Sequence, residues 1–202
     1  VLEEPPDDVL FILLAADADS VVATVVSRCQ TINLRPLPVP VIAEELRRFG
    51  CQANEAERLA RLSRGRFGWA ISAMGRSDIL NESVDRMETI AKVVASGLEE
   101  RLDYSAQLAS RFSQNRTQVV EEVGLWLRWW RDVLLVKEAS EGLLEDPGRV
   151  LDLTPIADSL SFDQIATALY SARDTIGYLD RNANPRLALD DMMLRLPDTV
   201  DV

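Results

Sequence analysis

Arg28 is the residue of this chain best suited to chemistry, set within Thr24-Val25-Val26-Ser27-Arg28-Cys29-Gln30. A guanidinium keeps its charge and grips oxygens with a fixed fork, so it suits a site where charge builds on a transferring phosphoryl group. Such a group must be held and aimed, and the flanks suggest how. Val9-Leu10-Phe11-Ile12-Leu13-Leu14 is a short, unbroken apolar run with turn-forming residues on either side, as in a strand buried on both faces of a parallel sheet. Thr31-Ile32-Asn33-Leu34 alternates polar and apolar and stops before Pro36. Ser27-Arg28-Cys29 is therefore expected in a connection between two strands, at the end where open sheets place their ligand chemistry. Ser27 and Cys29 are expected to set the turn. On spacing alone the plainer reading is an exposed arginine at a strand end, the ordinary fate of arginine.

Other chemistries are narrowed by composition. The chain has no histidine, which removes histidine bases, triads and histidine metal ligands from it. Its two cysteines, Cys29 and Cys51, are too few for a four-thiolate zinc site, and each reads as a small hydrophobe. Glu3 and Glu4, like Asp190 and Asp191, are adjacent rather than helically spaced, which does not make an acid–base or metal pair. A net charge of −11 is wrong for a phosphate-backbone platform, although Arg35, Arg47, Arg48, Arg58, Arg61, Arg64 and Arg66 leave room for local basic patches. Trp126, Trp129 and Trp130 fall on one helical face. Large aromatics there make either a helical core or a subunit interface, and both readings stand.

The elements behind these residues change character along 202 positions. Residues 1–35 read as the last strands of an α/β sheet. Pro36, Pro38 and Pro40 mark a linker. Three short helices are expected next: Val41 to Phe49, ended by Gly50; one capped by Asn54 with Glu57, ended by Gly65; and Phe67 to Met74, ended by Gly75. From Ser77 the pattern becomes longer amphipathic helices. Leu80, Val84, Met87, Ile90, Val93 and Val94 stripe the first, Leu98 to Phe112 forms the second, and Thr117 to Ala139 the longest. Asp146-Pro147-Gly148 is a turn, and Thr154-Pro155 opens a short helix. Ser161 with Gln164 starts a helix to about Leu179, while Asn182 ends it and Asn184 caps the last, from Pro185 to about Leu196. No apolar run approaches the ~20 residues of a membrane span. The acidic N-terminus is unlike a signal peptide, and the unclustered cysteines suit a reducing cytoplasm.

Three blocks carry a family resemblance. Ser27-Arg28-Cys29 resembles the motif that carries an arginine finger in the clamp-loader branch of the AAA+ ATPases. Leu2-Glu3-Glu4-Pro5-Pro6 is similar to the run before their sensor strand, and Ser63-Arg64-Gly65-Arg66-Phe67-Gly68-Trp69-Ala70 to the segment opening their last lid helix. The helical remainder resembles the collar of bacterial DNA polymerase III delta-prime subunits, so the resemblance covers essentially the whole chain. It implies a mainly α fold: the end of an AAA+ sheet (1–35), a three-helix lid (36–76) and an all-α collar of five to six helices (77–202). It also reverses the balance at Arg28, which becomes a finger offered in trans to a neighbouring subunit.

The sensor positions depart from the family pattern. Ala15, Ala16 and Asp17 stand where a polar sensor is usual, and Gly68 where ATP-binding subunits offer an arginine, with Arg66 two residues early. The resemblance thus implies a partner that neither binds nor hydrolyses ATP, with ATP and magnesium held by adjacent subunits. The implied partners are gamma/tau and delta subunits through the collar and AAA+ faces, with primed DNA and the sliding clamp reached through the complex, and no membrane. The chain opens in mid-pattern, so it is expected to be the C-terminal portion of a longer protein. The alternatives are a gamma-like ATP-hydrolysing subunit and a helical adaptor without nucleotide chemistry.

Overall fold

The computed structural model describes residues 9–15, 18, 21–144 and 146–198, with the side chains of 77–81 and 83 left aside. The chain divides into two compact units, Val1–Pro36 and Leu37–Val202. In the first, among the described residues, the only regular element is a single helical turn, α1 (Ala23–Val26), entered from an extended Val22. The strands expected over Val9–Leu14 and Thr31–Leu34 do not form there. A strand exists through ladder bonds to a neighbour, and no such bond joins described residues of these stretches. Their apolar side chains accordingly stay in solvent, with Leu10 82%, Leu14 91% and Leu34 89% exposed.

The second unit begins with three short helices, α2 (Val39–Arg48), α3 (Ala53–Leu62) and α4 (Phe67–Ala73). They close on Ile42, Leu46, Ala56, Leu59, Ala60 and Ala70, all fully buried. Gly50, Gly65 and Gly75 end them with φ of +91°, +81° and +67°, the left-handed exit that glycine takes without steric cost. Two starts differ from expectation. Pro40 is not linker but sits in the first turn of α2, where a missing N–H costs nothing. α3 starts two residues early, after Gln52 and with no side-chain cap; Glu57 pairs with Arg61 at 3.0 Å instead of turning back to Asn54.

Longer helices follow: α5 (Ser77–Val94), α6 (Leu98–Phe112), α7 (Arg116–Lys137), α8 (Val150–Ser159), α9 (Phe162–Asp180) and α10 (Pro185–Leu194). α7 is the centre. It packs on α6, α8 and α9, and α10 lies across α6 and α9. Along α5, Ile90 and Val94 are buried, whereas Val84 stands 37% exposed. The predicted caps recur in α9 and α10. Ser161 Oγ accepts from Gln164 N (3.3 Å) and Gln164 Oε1 accepts from Ser161 N (2.8 Å). Asn182 is left-handed at φ +59°, and Asn184 Oδ1 accepts from the amides of Arg186 and Leu187.

Pro155 corrects one expectation. It lies inside α8 rather than at its start, and Thr154 Oγ1 donates back to Val150 O (2.7 Å) instead of capping. The carbonyl deprived of its donor by this proline belongs to Leu151, a residue 83% exposed to solvent.

Two buried polar arrangements tie the long helices together. Arg101 on α6, only 3% exposed, donates to Val94 O (2.7 Å), Leu196 O (3.3 Å) and Pro197 O (2.9 Å). It thus serves carbonyls at the end of α5 and beyond α10, groups a helix cannot satisfy alone. Glu122 on α7 accepts from Tyr104 Oη (3.0 Å) and from Arg86 Nε and Nη2 (3.1 and 2.6 Å), joining α5, α6 and α7.

Candidate functional site

Arg28 lies in the turn that closes α1. Four amides, from Val26 to Cys29, donate to carbonyls three or four residues back, which fixes one compact turn. The Thr24 carbonyl then receives two side chains, Ser27 Oγ at 3.1 Å and Arg28 Nη1 at 2.6 Å. The guanidinium is therefore exposed but tethered to its own backbone, and the short Nη1–O distance is that of a charge-assisted bond. Cys29 is an exposed free thiol on the rim of a hollow of about 260 Å³ within the first unit. An exposed cation at a helix end can contact an anionic group arriving from outside. Its setting is a helix end rather than the strand-to-strand connection expected.

Of the predicted sensing positions, Ala15 is exposed, whereas Ala16 and Asp17 lie outside the described residues, as does Leu2-Glu3-Glu4-Pro5-Pro6. Gly68 sits in the first turn of α4, and a Cβ built there meets nothing within 4 Å. Sterics therefore do not demand glycine at that position. Arg66 precedes α4, and its Nε donates to Ser63 O at 3.3 Å.

Trp126, Trp129 and Trp130 belong to the second unit and are each 0% exposed. Trp129 and Trp130 meet edge to face with centroids 4.8 Å apart, and Trp126 Nε1 donates to Tyr104 Oη at 3.3 Å. These rings fill the core of this chain, around Val123, Val133, Ile165 and Leu179. Sequence reasoning missed Arg101, Ser105 and the Tyr104–Glu122–Arg86 set, all buried or half-buried polar groups. It also missed a cleft whose lining includes Arg64, Arg66 and Arg128. Arg64 and Arg66 were visible as local charges, but nothing in the order of residues brings Arg128 to them.

A family model described as DNA polymerase III, delta subunit, matches residues 1–38. The match supports a DNA polymerase III clamp-loader-related family. It covers the segment that carries Ser27, Arg28 and Cys29 and ends at the start of the helical unit. No curated protein and no solved structure matches the chain. No helix among the described residues is long and apolar enough to cross a membrane.

Proposed function

We propose that the chain is the C-terminal portion of a clamp-loader subunit of the delta-prime kind, a non-hydrolysing partner in loading the sliding clamp onto primed DNA. The observation that carries this reading is the clamp-loader match over residues 1–38, which brackets an exposed and tethered Arg28. In this reading residues 1–35 are the end of an AAA+ nucleotide-binding-type domain, 36–76 are its lid and 77–202 its collar. Gamma/tau and delta subunits are the neighbours, ATP and magnesium belong to them, and the complex works in the cytoplasm.

Arg28 would act on the phosphoryl group of ATP bound next door. As charge moves onto the transferring group and its leaving oxygen, a guanidinium already in place stabilises it without reorganising. The tether through Nη1 to Thr24 supplies that pre-positioning. Nothing covalent is asked of the residue, so its removal acts on rate rather than on assembly.

The test is Arg28→Ala in the full subunit, assembled into a loader whose other ATP sites are disabled. Assembly should stay intact while hydrolysis at the adjacent site falls by roughly 10³-fold or more. Arg28→Lys should rescue poorly, because an ammonium lacks the planar fork. Unchanged hydrolysis in a confirmed complex would leave Arg28 a surface residue and favour the helical-adaptor reading.

A further inference from the structure

Within the second unit the apolar interior is divided. The buried side chains of α2 to α4 and those of the long helices form two clusters with no member in common. Where these two bodies face each other lie two clefts, of about 320 Å³ and about 470 Å³. Met87 of α5 lines both, with Leu62 and Trp69 across the first and Arg58 across the second. Bodies without a large shared apolar interface move against each other unless something else holds them.

The chain crosses from one body to the other through Met74-Gly75-Arg76. Met74 is extended (φ −59°, ψ 129°), Gly75 is left-handed at φ +67°, and Arg76 has φ −107° and ψ 86°. A Cβ built on Gly75 meets nothing within 4 Å, so open space surrounds the bend. Short stretches of this kind at the ends of helices are where hinges absorb backbone rotation. At the second cleft an ion pair spans the two bodies. Arg58 Nη2 of α3 stands 3.3 Å from Asp146 Oδ2, although 88 residues separate them. Asp146 is fixed independently of Arg58, because its Oδ1 accepts from Gly148 N at 3.1 Å and caps the turn Pro147–Arg149. The Arg58 side chain is 43% exposed, so salt reaches the pair. Arg61, on the same helix, pairs locally with Glu57, whereas Arg58 is directed at the other body.

We propose that α2–α4 is a hinged flap that bends at Gly75 and is latched by the Arg58–Asp146 ion pair, so that its angle to the long helices responds to ionic strength. When the latch opens, the flap swings off the second cleft and uncovers Met87 and Ala91 on its floor. A half-exposed ion pair contributes little and is screened by salt, so the closed and open states stay within reach of each other. The inference goes beyond the role proposed for Arg28 and uses nothing of the first unit.

The test measures the distance between α3 and α8 in the full chain by pulsed electron resonance. Cys29→Ser and Cys51→Ala remove the native thiols, and Ala53→Cys with Asp158→Cys, both at exposed positions, take the spin labels. Raising salt from about 50 mM to about 1 M should move population from a shorter to a longer distance. At low salt, Arg58→Gln and Asp146→Asn should each raise the ratio of long to short by about two- to fivefold, the worth of one exposed pair. Asparagine at 146 keeps an Oδ1 for Gly148 N, so the turn stays capped while the charge is lost. The double variant should go no further than either single one, and salt should no longer move any of the three. Circular dichroism shows that each variant is folded. A distance that neither salt nor either variant changes overturns the proposal. So does an effect of one variant without the other, or a salt response that survives in the double variant.

Discussion

Tyr104 shows how much one buried hydroxyl carries. It donates to Glu122 (3.0 Å) and accepts from Trp126 Nε1 (3.3 Å), so the phenol links a charged pair to the aromatic core. Burial first, and then the Glu122 charge, push its pKa well above the ordinary tyrosine value. The sign follows. The unfolded chain ionises Tyr104 near pH 10 while the folded chain keeps the proton. Its contribution to stability is thus whole below about pH 10 and is lost as pH rises beyond that. Tyr104→Phe should cost about 1–2 kcal/mol near neutrality, through one lost bond and a buried indole N–H left without its partner. The same variant should flatten the alkaline fall in stability. Urea unfolding of both proteins at neutral and alkaline pH checks both statements; an equally steep fall in the variant would assign that dependence to other groups.

Among the elements, α7 has the largest stake. Eight of its residues are buried, three of them tryptophans, which explains why the other long helices pack around it. Trp129→Ala should destabilise by ~3–5 kcal/mol in urea unfolding, the range for emptying a large buried site. A loss near zero would mean the ring is not packed. The helices were legible in the sequence because their signals are local. The Ser161–Gln164 box, the left-handed Asn182 and the three glycine exits each follow from residues within one turn of chain. What was not legible depends on partners elsewhere. Phe11 and Ile12 look like strand because they are apolar, but a ladder is decided by a neighbour. Thr154-Pro155 looks like a helix start, yet the preceding Val150–Leu153 already continues from the turn at Pro147–Arg149. Arg101 looks like any surface arginine until the ends of α5 and α10 meet over it. At the candidate site, the motif around Arg28 was readable, whereas its tether to Thr24 is a matter of local geometry that a strand assignment hid.

On the scale of the whole second unit, the apolar residues do not form one mass. Those of α2 to α4 make a small cluster of eight buried side chains, half of them or more alanine, while the long helices share a much larger one that includes every fully buried tryptophan. A cluster built from Ile42, Leu46, Leu59 and several alanines removes little apolar area from water, and stability scales with that area. The protein should therefore breathe unevenly. Amide hydrogens in α2 to α4 are expected to exchange with deuterium through partial openings well below the global unfolding free energy, and those of α7 and α9 only through complete unfolding. Exchange followed by mass spectrometry would reveal this as two rates of labelling within the second unit; a single protection level throughout it would mean the two clusters open together. A clamp on the small cluster, whether a bound ligand or a stiffer turn at Arg64-Gly65, would then slow deuterium uptake in α2 to α4 and barely move the melting temperature.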